Sequence, residues 1–191
     1  MNYALAYPFE VLLFRKWRKE LLNGVKGKIL EIGVGTGNNL KYYPKNCEVT
    51  AIDVDKKAVE KAKKIFKKYH NYKIMEMDAQ NLTFDDSTFD YVISPLVLCS
   101  IPNPSKALKE INRVLKRNGE LRTMEHVKSQ KKYLYNLQSR LNGINKKIFG
   151  CDLTRNTEEE IKKAGFKIIY SKNIGIDDMF RYIYAKKQGG N

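Results

Sequence analysis

The sequence predicts an α/β fold: one doubly wound, seven-stranded sheet, mostly parallel with an antiparallel C-terminal strand, and helices on both faces. Three observations carry that reading. Strand-like and helix-like segments alternate after a helical N-terminus, a glycine-rich loop follows the first strand, and two strands succeed one another near the C-terminal end. The 191 residues are expected to form a single domain, and the 42% hydrophobic fraction lies above that of disordered chains.

The elements follow in order. Residues 1–22 contain an amphipathic helix, Phe9–Leu22, expected to cover the site. Lys28–Ile32 is a short buried strand, Asn38–Tyr43 opens a short helix stopped by Pro44, and Glu48–Ile52 is the second strand. Between Asp55 and Tyr69, Ala58, Val59, Ala62, Ile65, Phe66 and Tyr69 recur at helical spacing, with lysines on the other face. Tyr72–Met77 and Phe89–Ser94 are the third and fourth strands. Asn103 and Pro104 start a helix as N-cap and first helical residue, and Asn118-Gly119 is expected to end it. Glu120–Val127 is the fifth strand. A helix over Lys131–Phe149 is inserted next, with Leu134, Leu137, Leu141, Ile144 and Ile148 as its expected buried stripe. Thr157 and Glu160 read as a capping box for a short helix closed by Gly165, and Phe166–Tyr170 and Met179–Ala185 are the last strands.

Composition narrows the function classes. A net charge of +15 attracts anions, whether nucleic acid or anionic lipid, although most lysines fall on polar helix faces where they are simply solvated. The three cysteines, Cys47, Cys99 and Cys151, form no Cys-x-x-Cys pair, and only His70 and His126 could join them, so no metal site is expected. The apolar run Phe9–Phe14 is broken by Glu10 and followed by Arg15 and Lys16, too short for a membrane span and wrongly flanked for a secretory signal. The expectation is a cytoplasmic protein, with peripheral contact at the inner membrane surface as the finer reading.

The most informative segment is Leu30-Glu31-Ile32-Gly33-Val34-Gly35-Thr36-Gly37-Asn38. Glycines there let the backbone turn tightly and approach a ligand at the carboxyl ends of the strands. The spacing fails Gly-x-Gly-x-x-Gly from either start, because Asn38 and Leu40 occupy the last position, and no Walker lysine follows. Asp53 ends the second strand, where a carboxylate can accept from ribose hydroxyls. Asp78 follows the third, where it can accept from an adenine amine. A nucleoside reader without a diphosphate-binding turn fits an adenosyl ligand that carries no phosphate.

With these residues the chain resembles the class I S-adenosylmethionine (SAM)-dependent methyltransferases, which have a Rossmann-like fold. The likeness runs through Leu30–Gly37, Asn39–Pro44, Val49–Asp53, Met77–Leu82, Phe89–Val92 and Arg113–Lys116. The chain is most similar to the branch with quinone C-methyltransferases, phospholipid N-methyltransferases and thiol methyltransferases, and three narrower segments, Leu96–Ser100, Glu125–Val127 and Gly150–Arg155, resemble its thiol and phospholipid members. The resemblance implies SAM as cofactor and a site built from Glu31, Gly33, Gly35, Gly37, Asn39, Asp53, Val54, Asp78, Ala79 and Leu96. Within it, the glycine loop takes the methionine part, Asp53 the ribose, and Asp78 with Ala79 the adenine. It places Tyr7, Cys99 and Asp152 at the substrate pocket.

Methyl transfer asks the protein mainly to align an acceptor and exclude water. His126, expected at the end of the fifth strand on the cofactor side, is the candidate base, with a purely structural hydrogen-bonding role as the alternative. Cys99 and Cys151 read as small apolar fillers. The aliphatic stripe of the inserted helix points to a small-molecule or lipid-like acceptor, an amphipathic amine or thiol, with a quinone as the alternative. A nucleic-acid-binding protein or RNA methyltransferase is the competing class, and it rests on charge alone.

Overall fold

The computed structural model describes residues 14–175 and 177–188. The start of the expected first helix, with Tyr3, Tyr7 and Phe9, lies outside them; within them helix α1 spans Arg15–Leu21. Among the described residues the strands are β1 (Lys28–Ile32), β2 (Glu48–Asp53), β3 (Tyr72–Glu76), β4 (Phe89–Pro95), β5 (Leu115–His126), β6 (Phe166–Ile174) and β7 (Phe180–Lys187). The other helices are α2 (Lys56–Phe66), α3 (Pro104–Val114), α4 (Lys132–Phe149) and α5 (Thr157–Lys163).

The strands form one seven-stranded sheet in the order β3-β2-β1-β4-β5-β7-β6. β1 pairs in parallel with β2 and β4, and the parallel pairing extends to β3 and β5. β7 alone runs antiparallel, between β5 and β6. After β1 the chain builds outward to β3 and then returns to place β4 on β1's other side. That reversal opens a crevice at the carboxyl ends of β1 and β4, the usual ligand position in open α/β sheets.

The two-residue period of the strands divides the core. Leu30 and Ile32 of β1 pack with Ile52, Val92 and Leu121 into the layer that holds α3 and Ile161 of α5. Ile29 points the other way, into the layer with Leu21 of α1 and Ala62 and Phe66 of α2. On α3, Ala107, Leu108, Ile111 and Val114 are all fully buried, and each of the larger three contributes roughly 1.5–3 kcal/mol of gross burial energy. Asn103 caps this helix as expected, accepting from the Lys106 N–H at 3.0 Å.

Four local expectations are corrected. First, Asn38–Tyr43 forms only a 3-10 turn, Leu40–Tyr42. Second, α3 ends at Val114 and the chain enters β5 directly, so Asn118-Gly119 lies inside a strand. The pairs Phe89↔Leu115 and Tyr91↔Glu120 bracket a bulge there, and a Cβ on Gly119 would meet the Lys116 carbonyl oxygen at 3.0 Å, so the glycine serves a close approach rather than a helix end. Third, α5 is preceded by Asn156 at the N-cap, while Thr157 is its buried first residue and makes no capping box. Fourth, the stripe on α4 is not buried. Leu134 is 8% exposed, but Leu137, Leu141, Ile144 and Ile148 are 47–62% exposed. The helix docks through amides instead: Gln138 bonds the Ser129 N–H and the Val127 carbonyl, Asn142 bonds Asp152 and Leu153, and Asn145 bonds the Cys151 carbonyl.

Candidate active site

The loop after β1 is folded on protein acceptors. The N–H groups of Gly33 and Val34 both donate to the Ile52 carbonyl, at 2.8 and 2.9 Å, and the Gly37 N–H donates to Val34. The Gly35 N–H donates to Asp53 Oδ2 at 2.8 Å. These donors are spent, and a 3-10 turn rather than an α-helix follows. The loop thus commits these four N–H groups to the protein and opens onto no α-helix terminus of the kind that holds a diphosphate. Gly33 has φ +75°, and a Cβ there would meet Val97 Cγ2 at 2.2 Å, so the loop and the segment after β4 close on each other only around a glycine.

A cleft of about 260 Å³ opens beside that contact, lined by Ile32, Gly33, Ile52, Asp53, Val54, Met77, Asp78, Ala79, Gln80, Leu96, Val97, Ser100, Ile101 and Pro102. The ends of β1, β2, β3 and β4 thus supply one wall each. Asp53 is 8% exposed and held rigidly, because its other oxygen accepts from the Asp55 N–H at 2.9 Å. Each of its oxygens keeps acceptor capacity toward the cleft. Asp78 sits at the mouth with both oxygens within reach of the Gln80 amide, at 3.1 and 2.9 Å. Leu96 has φ +59°, the left-handed region that costs a non-glycine residue energy, and it turns the chain into the cleft directly after β4.

These features fit an adenosyl ligand without phosphate. The walls are mainly apolar, no α-helix terminus follows the glycine loop, and one immobilised carboxylate lines the cleft. Six of the expected cofactor residues line the cleft: Gly33, Asp53, Val54, Asp78, Ala79 and Leu96. Gly35 and Gly37 shape the loop behind it. Glu31 and Asn39 do not reach it. The strand period turns Glu31 to the α1 face, where Arg18 Nη1 donates to Asn39 Oδ1 at 2.6 Å and Asn39 Nδ2 donates to Glu31 Oε1 at 2.9 Å. Burial raises the Glu31 carboxyl to about 7, against the opposing pull of Tyr43, Asn39 and Arg18.

A further residue organises the cleft: Glu125, fully buried in β5. Its carboxylate accepts from the Val97, Leu98 and Cys99 N–H groups at 3.1–3.2 Å and from the Thr123 hydroxyl at 2.6 Å. It clamps the segment that forms the β4 wall, and burial pushes its carboxyl up to about 7. Its signal in the sequence was an acid two positions after Thr123 in an otherwise apolar strand face.

The substrate-side expectations fare differently. Tyr7 lies outside the described residues. Asp152 is engaged by Asn142, Thr154 and Lys146, and these bonds hold its carboxyl at about 2 despite burial, so it is a structural knot rather than a free base. His126 ends β5 with its ring on Phe180, centroids 4.0 Å apart, and its Nδ1 3.6 Å from Cys151 Sγ. Cys99 and Cys151, read as separate fillers, meet at 3.0 Å between sulfurs.

Comparison with known proteins agrees with this architecture. Residues 30–123 match the family model for a methyltransferase domain. The chain is 35% identical over 144 residues to the thiol S-methyltransferase TMT1B of Rattus norvegicus, covering 72% of this chain and 59% of that protein. It is 32% identical over 108 residues to the phosphatidylethanolamine N-methyltransferase of Cereibacter sphaeroides, covering 55% of this chain and 53% of that one. The chain thus spans between half and two thirds of the length of these relatives. Among solved structures, a SAM-dependent methyltransferase from Methanosarcina mazei superposes with a TM-score of 0.67 and 25% identity, over 84% of this chain and 92% of that one. The seven-stranded sheet has the class I methyltransferase fold, and the match to the methyltransferase-domain model runs from β1 into β5.

Proposed function

We infer that this chain is a class I SAM-dependent methyltransferase acting on an amphipathic thiol or amine. The observation that carries the reading is the cleft: a glycine loop folded against the end of β2, Asp53 fixed beside it, and apolar walls from four successive strand ends. Asp53 would hold the ribose, Asp78 and Ala79 the adenine, and the loop from Gly33 the methionine part. When bound, the cofactor supplies a methyl group already activated on a sulfonium sulfur. The chain's own work is then to position the acceptor and exclude water. Ile32, Ile52, Met77, Val97 and Ile101 line the cleft with hydrocarbon, while the Glu125 clamp fixes the wall between Val97 and Cys99.

Two features support an amphipathic acceptor reached at a membrane surface. The outward stripe Leu137, Leu141, Ile144 and Ile148 runs along α4, flanked by Lys132, Arg140, Lys146 and Lys147. Among the described residues no helix is long and apolar enough to cross a membrane. A basic amphipathic helix of this kind lies in an anionic interface. We place the protein on the cytoplasmic side, with α4 against lipid.

Calorimetry tests the cofactor assignment. SAM should bind, and Asp53→Ala should weaken it by about 1.5–3 kcal/mol, roughly 10–100-fold, through lost charged hydrogen bonds. Equal binding of NAD, or unchanged SAM affinity in the variant, would overturn the assignment.

A further inference from the structure

Three donor groups converge outside the cofactor cleft. Cys99 follows β4, His126 ends β5, and Cys151 follows α4. Their ligand atoms all lie within 4.8 Å of one another. The two sulfurs are 3.0 Å apart, and Cys151 Sγ is 3.6 Å from His126 Nδ1. Cys99 and Cys151 are buried and His126 is half-buried.

Each donor is held from behind. The Cys99 N–H donates to Glu125 Oε2 at 3.1 Å, and its carbonyl accepts from the Asp152 N–H at 2.9 Å. The Cys151 carbonyl accepts from Asn145 Nδ2 at 2.6 Å. Phe180 stacks on the His126 ring. Support of this kind orients ligands before an ion arrives.

We propose that Cys99, His126 and Cys151 bind one soft divalent metal ion, with zinc best matched to the donor set, and that the ion's remaining position takes a thiolate ligand. Two thiolates and an imidazole are a zinc donor set, and three protein ligands leave a tetrahedral ion one position open. Bond lengths of about 2.3 Å to sulfur and 2.0–2.1 Å to nitrogen put tetrahedral donors roughly 3.5–3.8 Å apart. The separation of Cys151 Sγ from His126 Nδ1 already fits, Cys99 Sγ lies within 4.8 Å of the ring, and the sulfurs need to part by less than an ångström. Binding the ion displaces to solvent any proton that the two thiols carry, and both sulfurs then donate electron pairs to the metal with no change of oxidation state. The thiolate ligand, unlike the metal site itself, rests on the thiol-acceptor reading above.

Cobalt titration of the reduced, full-length chain tests the site without any methyl transfer. One cobalt per chain should bind, with thiolate-to-cobalt charge-transfer absorption and intense tetrahedral bands that added zinc bleaches. Cys151→Ser should weaken binding at least about tenfold, the order that even a supporting contact is worth, and cut the charge-transfer absorption to that of the one remaining thiolate; Cys99→Ser/Cys151→Ser should abolish it. His126→Ala should keep that signal at lower affinity, and Cys47→Ser should match the parent. An added alkanethiol should shift the bands and an alkylamine should not. No cobalt uptake by the folded chain, pale octahedral bands, or a signal indifferent to Cys151→Ser would overturn the site. Bands unmoved by thiol would remove the thiolate ligand. SAM calorimetry on the same sample reads the methyltransferase assignment separately.

Discussion

Glu31 and Asp53 stand close together at the ends of adjacent strands and take opposite fates. Asp53 faces the cleft, fixed by backbone N–H groups, whereas Glu31 is sealed under α1 with its Oε2 lacking a hydrogen-bond partner among the described residues. Burial raises Glu31 to about 7 from 4.5, so the folded state holds its proton more tightly than the unfolded chain does. The resulting stabilisation is complete below about pH 4.5 and is lost as pH rises through 7, a swing of roughly 3 kcal/mol. Glu125 acts in the same direction. Denaturant unfolding should therefore show stability falling across this window, and Glu31→Gln should remove about half of the fall. A variant with the parent's slope would contradict the assignment. At this scale the sequence was legible where one residue's position decides its role. Gly33, Asp53, Asp78 and Leu96 follow strand ends and line the cleft. Glu31, expected among the cofactor residues, does not line this cleft, and the alternation Ile29-Leu30-Glu31-Ile32 sets it on the opposite face. Cys99, His126 and Cys151 could not be joined from spacing, because only the sheet order brings their three segments together.

Elements were legible where pattern and burial agree. β1, α3 and α4 lie within a residue of expectation at their N-terminal ends; the Asn103 cap and Pro104 mark α3 locally, and apolar patterning marks the other two. The Asn118-Gly119 signal misled because a bulge and a helix end both favour glycine. Helix α4 misled for a deeper reason: its periodic aliphatic face was assumed to point inward, yet Gln138, Asn142 and Asn145 carry the docking. Such an inversion leaves apolar residues whose loss should not harm the fold. The double variant Leu141→Asp/Ile144→Asp should leave the thermal midpoint nearly unchanged, since surface substitutions usually cost within about 0.5 kcal/mol. It should weaken co-flotation with anionic vesicles at least roughly tenfold. A large drop in midpoint would mean that the stripe is core, and undiminished flotation would detach α4 from the membrane.

For the whole molecule, a net charge of +15 and a cleft built mainly of hydrocarbon imply two responses to salt. Vesicle binding should fall steeply between about 0.05 and 0.3 M salt, as the Debye length contracts. SAM affinity should change little over the same range, because a short-range hydrogen-bonded site is poorly screened. Equal salt sensitivity in flotation and calorimetry would show that the basic surface, rather than the cleft, governs cofactor capture.

The antiparallel β7, set between β5 and β6, also dictates when the molecule can be finished. During synthesis β1 to β5 can assemble as they emerge, but the outer edge of β5 stays open and β6 has no strand to pair with until Phe180–Lys187 has cleared the ribosome. Nascent chains halted before that point carry an unpaired edge, the feature that chaperones shield and that seeds aggregation. The sheet thus closes in a keystone step, in which one late strand completes it and sets Phe180 against the His126 ring.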